Sequence, residues 1–300
     1  FYATGAVGTI VRELTDPKWI IEAIAEEKGT DVLFVVPIAI AILNAIENGD
    51  INLADYDLSS WRYMEIGAQP VPFDVMKRLV DTLPCGCSNI YGITEGGGGG
   101  LFNLYPEEVL EKPGSIGKPT FGMDAKIVDF EGKELPAGEV GELLLKTSRM
   151  MKGYYQNPEM TEKSLKDGWL YTGDLVKADE EGYIYIVDRA KDMVTSGGEN
   201  IFPVEIEDAL MDHPKIDDVA CIGHPDERLV EIVMAIVQLK EGESMTEEEV
   251  IEYAKSKMAT YKVPRKVLFD TVMRNPTGKL MKPQMREKYT GRKEAFQKLD

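Results

Sequence analysis

The first hundred residues alternate between strand-like and helix-like segments, and this alternation restricts the fold more than any other feature. Val32–Val36 is a continuous apolar run that Pro37 ends, which predicts a strand buried on both faces. Two further strands are predicted at Tyr63–Ile66 and Ser88–Tyr91. Three helices are predicted around the strands: one from Asp16-Pro17 to Gly29, one with apolar positions Ile38, Ile42, Leu43 and Ile46, and one over Phe73–Val80. Such alternation predicts a parallel sheet.

From Gly114 the pattern changes to short strands and tight turns, as in the segments Lys126–Val128, Glu142–Lys146 and Tyr183–Val187. It predicts a small antiparallel sheet or barrel. Beyond it, helix and strand signals mix, and Thr246 with Glu249 forms a capping box. The expected fold class is α/β: a parallel-sheet subdomain (residues 1–113), a small antiparallel β subdomain (114–191) and an α+β C-terminal domain (192–300).

The net charge of −18 argues against nucleic acid or an anionic membrane surface as a bulk partner. Cys85, Cys87 and Cys221 form neither an even disulfide framework nor a four-ligand zinc site, which favours a reducing cytoplasm. We expect Cys85 and Cys87 to act as small buried hydrophobes. Since no apolar run reaches membrane-spanning length and no signal peptide is recognisable, we also expect no integral membrane segment.

Two predicted strands end in glycine-containing loops, Gly67-Ala68-Gln69-Pro70 and Gly92-Ile93-Thr94-Glu95. Because ligands bind beyond the carboxyl ends of parallel strands, these loops are candidates for one site. Tyr91 offers a face for a base, and Glu95 a carboxylate for Mg²⁺, which prefers oxygen ligands. An ordinary turn at the end of a strand explains the five residues Tyr91–Glu95 equally well. The glycine run at residues 96–100 is expected to be a flexible loop unless it lines a pocket.

Three later residues each have two interpretations. Asp174 either accepts hydrogen bonds from sugar hydroxyls or caps a turn. Arg189 either donates to the same hydroxyls or forms a surface ion pair of little energetic value. Lys279, near the glycine of Asn275–Lys279, either neutralises developing negative charge or is solvated.

The segment Asp188–Glu207, DRAKDMVTSGGENIFPVEIE, follows a predicted strand, crosses the polar step Lys191-Asp192 and reaches the glycine pair Gly197-Gly198. Pro203 then suits the first turn of a helix. The segment is either a connector between two folded units or a backbone that approaches a ligand.

In their order along the chain, the segments GAQP, NIYGITE, GWLYTGDL, DRAKDMVTSGGENIFPVEIE and NPTGKL resemble the acyl-CoA synthetase branch of the adenylate-forming superfamily. The resemblance extends from about Asp16 to Tyr289. It implies a large multi-subdomain N-terminal portion followed by a small mobile α+β domain, in agreement with a boundary near Lys191-Asp192.

The resemblance implies a role for each matching residue. Adenine would be surrounded by Gly67, Ala68, Gln69, Asn89, Ile90 and Tyr91, with Tyr91 stacking, Asn89 near the exocyclic amine and Ile186 packing near the base. Gly92 would also belong to the nucleotide-binding residues. The α-phosphate would contact Thr94, Mg²⁺ would bind Glu95, and the ribose hydroxyls would bind Asp174 and Arg189. The remaining roles concern the two chemical steps: Lys279 for adenylation, Asp192 as the hinge, and Gly197-Gly198-Glu199 lining the path of coenzyme A.

The implied activity has two steps. A carboxylate attacks the α-phosphorus of ATP and releases pyrophosphate, and the CoA thiol then displaces AMP from the acyl-adenylate. Lys279 and the glycine pair lie in the same C-terminal domain, so rotation about Asp192 would exchange one for the other. The expected partners are ATP or AMP, Mg²⁺, coenzyme A and a carboxylic acid, fatty or related. A homodimer is left open.

The chain departs from the family pattern in three places. The phosphate loop of the form TSGTTGxPKG is absent, and residues 1–6 look like family sequence downstream of it, so the chain alone is expected to be an inactive C-terminal fragment. Asp188 stands where a glycine usually precedes the arginine, which would alter the ribose contacts slightly. Val230 stands where glycine is common, and we expect it to serve packing.

Three functions compete at this point. The leading interpretation is an acyl-CoA synthetase, because the GGEN segment suits CoA better than the arm of a carrier protein. The alternatives are an adenylation domain or luciferase-like enzyme, and a non-catalytic nucleotide-binding module. By resemblance, the glycines at 96–100 border the acyl pocket, and small residues there leave room for a medium-chain or bulky acid.

Overall fold

A computed structural model describes residue 8, residues 16–275 and residues 278–291 of the chain. Seven helices occur in these residues: α1 (Pro17–Glu26), α2 (Val36–Glu47), α3 (Phe73–Thr82), α4 (Pro158–Ser164), α5 (Pro203–Met211), α6 (Glu247–Lys257) and α7 (Lys282–Thr290). The strands of the first part are β1 (Asp31–Val35), β2 (Tyr63–Gly67), β3 (Gly86–Ile93), β4 (Gly98–Leu104), β5 (Ser115–Pro119), β6 (Met123–Val128), β7 (Gly141–Thr147), β8 (Leu165–Lys166), β9 (Trp169–Ala178) and β10 (Ile184–Arg189). The later strands are β11 (Val194–Ser196), β12 (Glu199–Ile201), β13 (Ile216–Asp226), β14 (Val230–Leu239) and β15 (Lys266–Phe269).

The chain divides into two compact units. The first comprises Phe1–Thr172 with Lys177–Ile186, and the second Gly173–Val176 with Val187–Asp300. The hinge at Asp192 and the boundary beside it remain predictions. Within the described part of the chain, no helix is long and apolar enough to cross a membrane.

The first unit contains the parallel sheet that the alternation predicts. Strands β1, β2 and β3 pair in parallel, and β4 and β5 then continue the sheet in the antiparallel direction. The full order is β1-β2-β3-β4-β5-β10-β9-β7-β6, with β8 paired to β9. Helices α1 to α3 pack against the parallel strands because their apolar positions recur at helical spacing, and the buried cluster includes Ile20, Ile42 and Leu79. The predicted α/β class, with parallel strands followed by antiparallel ones, is confirmed. The subdomain bounds 1–113 and 114–191 remain predictions.

The burial predicted for the first strand is wrong. Leu33 is 61% exposed and Asp31 is exposed, whereas Phe34 packs into the core. Strand β1 ends the strand order of the described residues, and only its Phe34 face is covered. An apolar run therefore overstated the burial, because the run itself does not record how many faces of the sheet are covered.

The glycine run at residues 96–100 is not a loop over its whole length. Strand β4 begins at Gly98 and pairs with β3 on one side and β5 on the other. At Gly97 the backbone φ is +96°, and a Cβ would lie 2.7 Å from Cβ of Arg149. Glycine at this position is therefore required by both backbone conformation and space.

The second unit has a smaller sheet in the order β12-β11-β14-β13, with β15 parallel to β14. Because side chains alternate along a strand, β13 supplies Val219 and Cys221 to one core and Ala220 and Ile222 to another. Helices α5 and α6 cover the first of these faces, and α7 covers the second. The capping box at the start of α6 is present as predicted.

Candidate active site

The carboxyl ends of β2 and β3 lie side by side in the first unit. Gly67 pairs with Ile90, and Ile66 pairs with Asn89. A Cβ on Gly67 would lie 2.4 Å from the carbonyl oxygen of Ile90, so a larger residue would force the strands apart. The structure therefore brings the two predicted strand-end segments together at one edge of the sheet, as the rule for parallel sheets requires.

Ala68 follows Gly67 with an unusual backbone conformation. Its φ is +71°, in the left-handed region that favours glycine, and its side chain is exposed. Residues held in this region cost roughly 1–3 kcal/mol and cluster at functional sites. Strand β2 ends one residue before Ala68, and the next residue, Gln69, is half-buried.

Asn89 and Tyr91 are both buried in β3. Nδ2 of Asn89 donates a hydrogen bond to the carbonyl oxygen of Ser115 at 2.7 Å, which fixes the orientation of the amide. The ring of Tyr91 meets the ring of Phe102 edge to face, with centroids 5.5 Å apart. Both side chains are thus held rigidly beside Ile90, while Gly92, the next residue, is exposed.

Glu95 lies on a short 3₁₀ turn, Thr94–Gly96, that follows β3. Its Oε1 accepts a hydrogen bond from the hydroxyl of Tyr154 at 2.8 Å, and its carbonyl oxygen accepts one from N of Met151, also at 2.8 Å. Desolvation, and secondly the bond to Glu95, raise the pKa of Tyr154. The sequence analysis did not predict Tyr154 as a site residue, because 59 residues separate it from Glu95 and no local pattern connects the two. Thr94 is exposed beside it.

The described residues contain no group of three or more His, Cys, Asp or Glu side chains that could hold a metal ion. Mg²⁺ usually keeps several waters and binds through one or two carboxylates plus substrate phosphates. A single half-buried carboxylate such as that of Glu95, oriented by Tyr154, fits that mode and does not fit an all-protein cage.

Asp174 and Arg189 form an ion pair in the second unit, with Nε of Arg189 3.0 Å from Oδ1 of Asp174. The Asp174 side chain is 6% exposed, whereas that of Arg189 is 39% exposed. N of Ala190 also donates to the carbonyl oxygen of Gly173 at 2.9 Å, which joins the two segments next to the pair. The two predicted sugar-binding residues are therefore brought together.

Lys279 lies on a tight turn whose backbone is closed by Asn275. N of Lys279 donates to Oδ1 of Asn275, and N of Asn275 donates to the carbonyl oxygen of Lys279, both at 2.9 Å. Desolvation lowers the pKa of Lys279, and the positive charge of Arg189 lowers it further, while Asp174 opposes the change. The Lys279 ammonium thus lies within the electrostatic field of the Asp174–Arg189 pair. Pro276 and Thr277 of the same motif lie outside the described residues.

The glycine pair of the connector forms the turn of a β-hairpin. Strands β11 and β12 pair antiparallel with Ser196 opposite Glu199, so Gly197 and Gly198 are the two loop residues. Both have positive φ, +61° and +91°, as the type I′ turn of a two-residue hairpin requires. A Cβ at Gly198 would meet no atom within 4 Å, so the hairpin tip is open at that position.

Two family models match the chain. The model of the family described as AMP-binding enzyme matches residues 1–155, and that of the AMP-binding enzyme C-terminal domain matches residues 205–279. The chain belongs to the AMP-binding enzyme family. The family model covers the strand-end segments at Gly67 and Gly92, and the C-terminal model covers the turn at Lys279.

Three proteins illustrate the relationship of this AMP-binding chain to known ones. It is 39% identical to the long-chain-fatty-acid–CoA ligase FadD13 of Mycobacterium tuberculosis over 83% of the chain and 49% of the relative. It is 36% identical to the feruloyl-CoA synthase of an Amycolatopsis species over 94% of the chain and 56% of the relative. The structure of the o-succinylbenzoate CoA synthetase MenE of Bacillus subtilis, with its acyl-adenylate intermediate, matches 90% of the chain and 54% of that protein (TM-score 0.79, 30% identity). The AMP-binding chain spans about half the length of these relatives.

Proposed function

We propose that the protein is an ATP-dependent carboxylate–CoA ligase that forms an acyl-adenylate and then transfers the acyl group to coenzyme A. FadD13 is named as a long-chain-fatty-acid–CoA ligase, another relative is named as a feruloyl-CoA synthase, and the MenE structure is described with an acyl-adenylate intermediate. The observation that carries the proposal is the Asp174–Arg189 ion pair, in which a half-exposed guanidinium lies beside a buried carboxylate. A charged donor and a carboxylate acceptor are the groups that bind ribose hydroxyls.

In the first step, we assign the adenine to Gly67, Ala68, Gln69 and the segment Asn89–Gly92. The adjacency of Gly67 and Ile90 supports this assignment, since it joins the two strand ends at one edge. Thr94 would contact the α-phosphate. Asp174 and Arg189 would bind the ribose hydroxyls, with Ile186 near the base.

Glu95 would hold the Mg²⁺ ion, which offsets phosphate charge when bound. The hydrogen bond from Tyr154 fixes one carboxylate oxygen and so orients the other. Lys279 would hold its ammonium between the substrate carboxylate and the α-phosphate. This step is a matter of positioning and electrostatics, because phosphoryl chemistry requires little covalent participation of the protein.

In the second step, the Gly197-Gly198-Glu199 hairpin would line the path of the CoA thiol. The open tip at Gly198 supports close approach of a ligand to the backbone. Rotation about Asp192 would replace the Lys279 turn by this hairpin at the reacting atoms. A cytoplasmic setting is part of the proposal, since all three cysteines are free thiols.

Product analysis tests this function directly. The natural full-length protein is incubated with ATP, Mg²⁺ and a panel of carboxylic acids, with and without CoA, and acyl-AMP and acyl-CoA are measured by mass spectrometry. We expect acyl-AMP without CoA and acyl-CoA with it. Acyl-AMP that persists when CoA is added would favour an adenylation domain, and oxidised products would favour a luciferase-like enzyme.

A further inference from the structure

The charged side chains buried in the described residues are concentrated in the second unit: Asp174, Asp188, Glu207, Lys282 and Arg286. Desolvating a charge is costly unless partners compensate for it, so a concentration of buried charge needs an explanation. The Asp174–Arg189 pair accounts for one member. The other four lie around helix α7 and the segment Asp188–Asp192.

The first contact of this group lies at the start of α7. Nζ of Lys282 lies 2.8 Å from Oε1 of Glu207 on α5, and both side chains are almost fully buried. Oε1 of Glu207 also accepts a hydrogen bond from N of Cys221 at 2.7 Å. Burial raises the pKa of Glu207, and the charge of Lys282 opposes that change. Lys282 therefore holds α7 against α5 and β13.

Asp188 joins the end of β10 to the start of helix α5. Its Oδ1 accepts from N of Arg189 at 2.6 Å, and its Oδ2 accepts from N of Val204 at 3.1 Å. Val204 lies in the first turn of α5, where Phe202, at the N-cap, supplies no side-chain hydrogen bond. Asp188 thus takes the place of a helix cap. The attraction of Lys282 lowers the pKa of Asp188 against a larger rise caused by burial.

One turn further along α7, Arg286 contacts the other end of the segment. Its guanidinium forms an ion pair with Asp192 and donates to the carbonyl oxygen of Lys191 at 3.3 Å. Lys282 and Arg286 are four residues apart and therefore lie on one face of α7. Helix α7, which begins three residues after Lys279, therefore binds the segment that contains Arg189 and Asp192.

We infer that the ion pairs Lys282–Glu207 and Arg286–Asp192, together with Asp188 bound to the backbone at the start of α5, form an ionic brace through which α7 positions the Lys279 turn relative to Arg189. We call these five residues the α7 brace. The inference rests on the proposed function for its kinetic consequence, but not for its structural one. Arg286 is a positioning residue, since it acts on the reacting atoms through Asp192 and Lys279. A change of conformation at Asp192 must either break the Arg286–Asp192 pair or carry α7 with it.

The test compares Arg286→Ala, Arg286→Lys and Asp192→Asn with the control Lys288→Ala, whose side chain is on the same helix but pairs with the half-buried Asp270 outside the brace. Pyrophosphate exchange and acyl transfer from preformed acyl-AMP are measured separately in the full-length protein. We expect Arg286→Ala to change the ratio of the two rates by about tenfold, with AMP affinity unchanged, Arg286→Lys to recover part of the effect, and the control to match the wild type. Equal loss of both rates, or additive effects of Arg286→Ala and Asp192→Asn in the double variant, would overturn the inference.

Limited trypsin digestion provides a readout that needs no activity. Lys191 is exposed, and the brace holds its carbonyl oxygen. Cleavage after Lys191 should be several-fold faster in Arg286→Ala than in the wild type or the control, since all three share the same residues around the cleaved bond. If the wild type makes no acyl-AMP, the proposed function fails and cleavage alone decides the brace. Cleavage rates that are equal in all variants would refute it.

Discussion

Nε of Arg189 lies 3.0 Å from Oδ1 of Asp174, and this pair joins a buried carboxylate to a half-exposed guanidinium. Asp174 is in β9 and Arg189 is at the end of β10, which are neighbouring strands. The guanidinium can therefore remain bound to the carboxylate while its exposed edge faces a ligand. In the proposed site, this geometry would link nucleotide affinity to the local stability of the second unit.

Replacing Arg189 by alanine should weaken AMP binding by roughly 10- to 100-fold and lower the free energy of unfolding by about 1–2 kcal/mol, because a buried carboxylate loses a charged hydrogen-bond donor. Asp174→Asn should weaken AMP binding as well but cost less stability, since the exposed Arg189 can be solvated. Calorimetric titration and urea unfolding measure the two effects. Arg228→Ala, an exposed residue, serves as the control. AMP affinity that is unaffected by Arg189→Ala would contradict the assignment.

Tyr154→Phe removes the hydroxyl that fixes Glu95. We expect the Mg²⁺ concentration for half-maximal adenylation to rise several-fold, because a carboxylate that lacks its orienting hydrogen bond binds metal less well. AMP affinity measured without Mg²⁺ should not change. Tyr155→Phe is the matched control, because Tyr155 is the adjacent residue and is 84% exposed. The same Mg²⁺ dependence in both variants would exclude Glu95 as the ligand that Tyr154 orients.

Val230 is a β-branched residue with φ of +72°, and its side chain is 67% exposed. The expectation that it serves packing is therefore wrong. Val230→Gly should raise the free energy of unfolding by about 1 kcal/mol, because the left-handed conformation costs glycine nothing and little apolar area is lost. Val230→Ala, which keeps a Cβ, should gain less. Urea unfolding of the three proteins checks the order, and a destabilised glycine variant would contradict it.

Asp270 accepts hydrogen bonds from Nζ of Lys288 and the hydroxyl of Tyr289, both at 2.8 Å. These bonds, with that of Lys288 the larger cause, lower the pKa of Asp270 to about 2. A lowered folded-state pKa contributes stability that is present above the unfolded pKa near 4 and is lost as the pH falls through about 2. Asp270→Asn should flatten this part of the acid unfolding curve, and NMR titration of the carboxyl carbon should give the pKa. A midpoint near 4 in the folded protein would contradict the contact.

Local sequence patterns predicted those features that depend on a single helix, strand or turn. The alternation around Val32–Val36 predicted the parallel strands, and Pro203 predicted the first turn of helix α5. The pattern did not show that Leu33 would be exposed, because coverage of a sheet face depends on other segments. It also did not show that Val230 would adopt a left-handed conformation.

Local sequence patterns did not predict contacts between residues that are far apart in the sequence. Tyr154 and Glu95 are separated by 59 residues, and Arg286 and Asp192 by 94. Nothing in the local spacing marks such pairs, because the fold alone brings them together. Helix α7 did carry a local signal, a proline in its first turn and Gly291 after its end, which matches the known preference at helix ends. The sequence did not show that Lys282 and Arg286 of this helix would be buried, because solvated lysines and arginines have the same residue types.

We propose that the protein is a ligase in which Lys279 serves adenylation and not thioester formation. The most direct measurement compares Lys279→Ala with the wild-type full-length protein in pyrophosphate exchange and in transfer from preformed acyl-AMP to CoA. We predict that exchange falls at least about 100-fold, as loss of a charge that stabilises a transition state implies, while transfer stays within a few-fold and AMP still binds. An equal loss in both steps, or exchange that survives the substitution, would contradict the account.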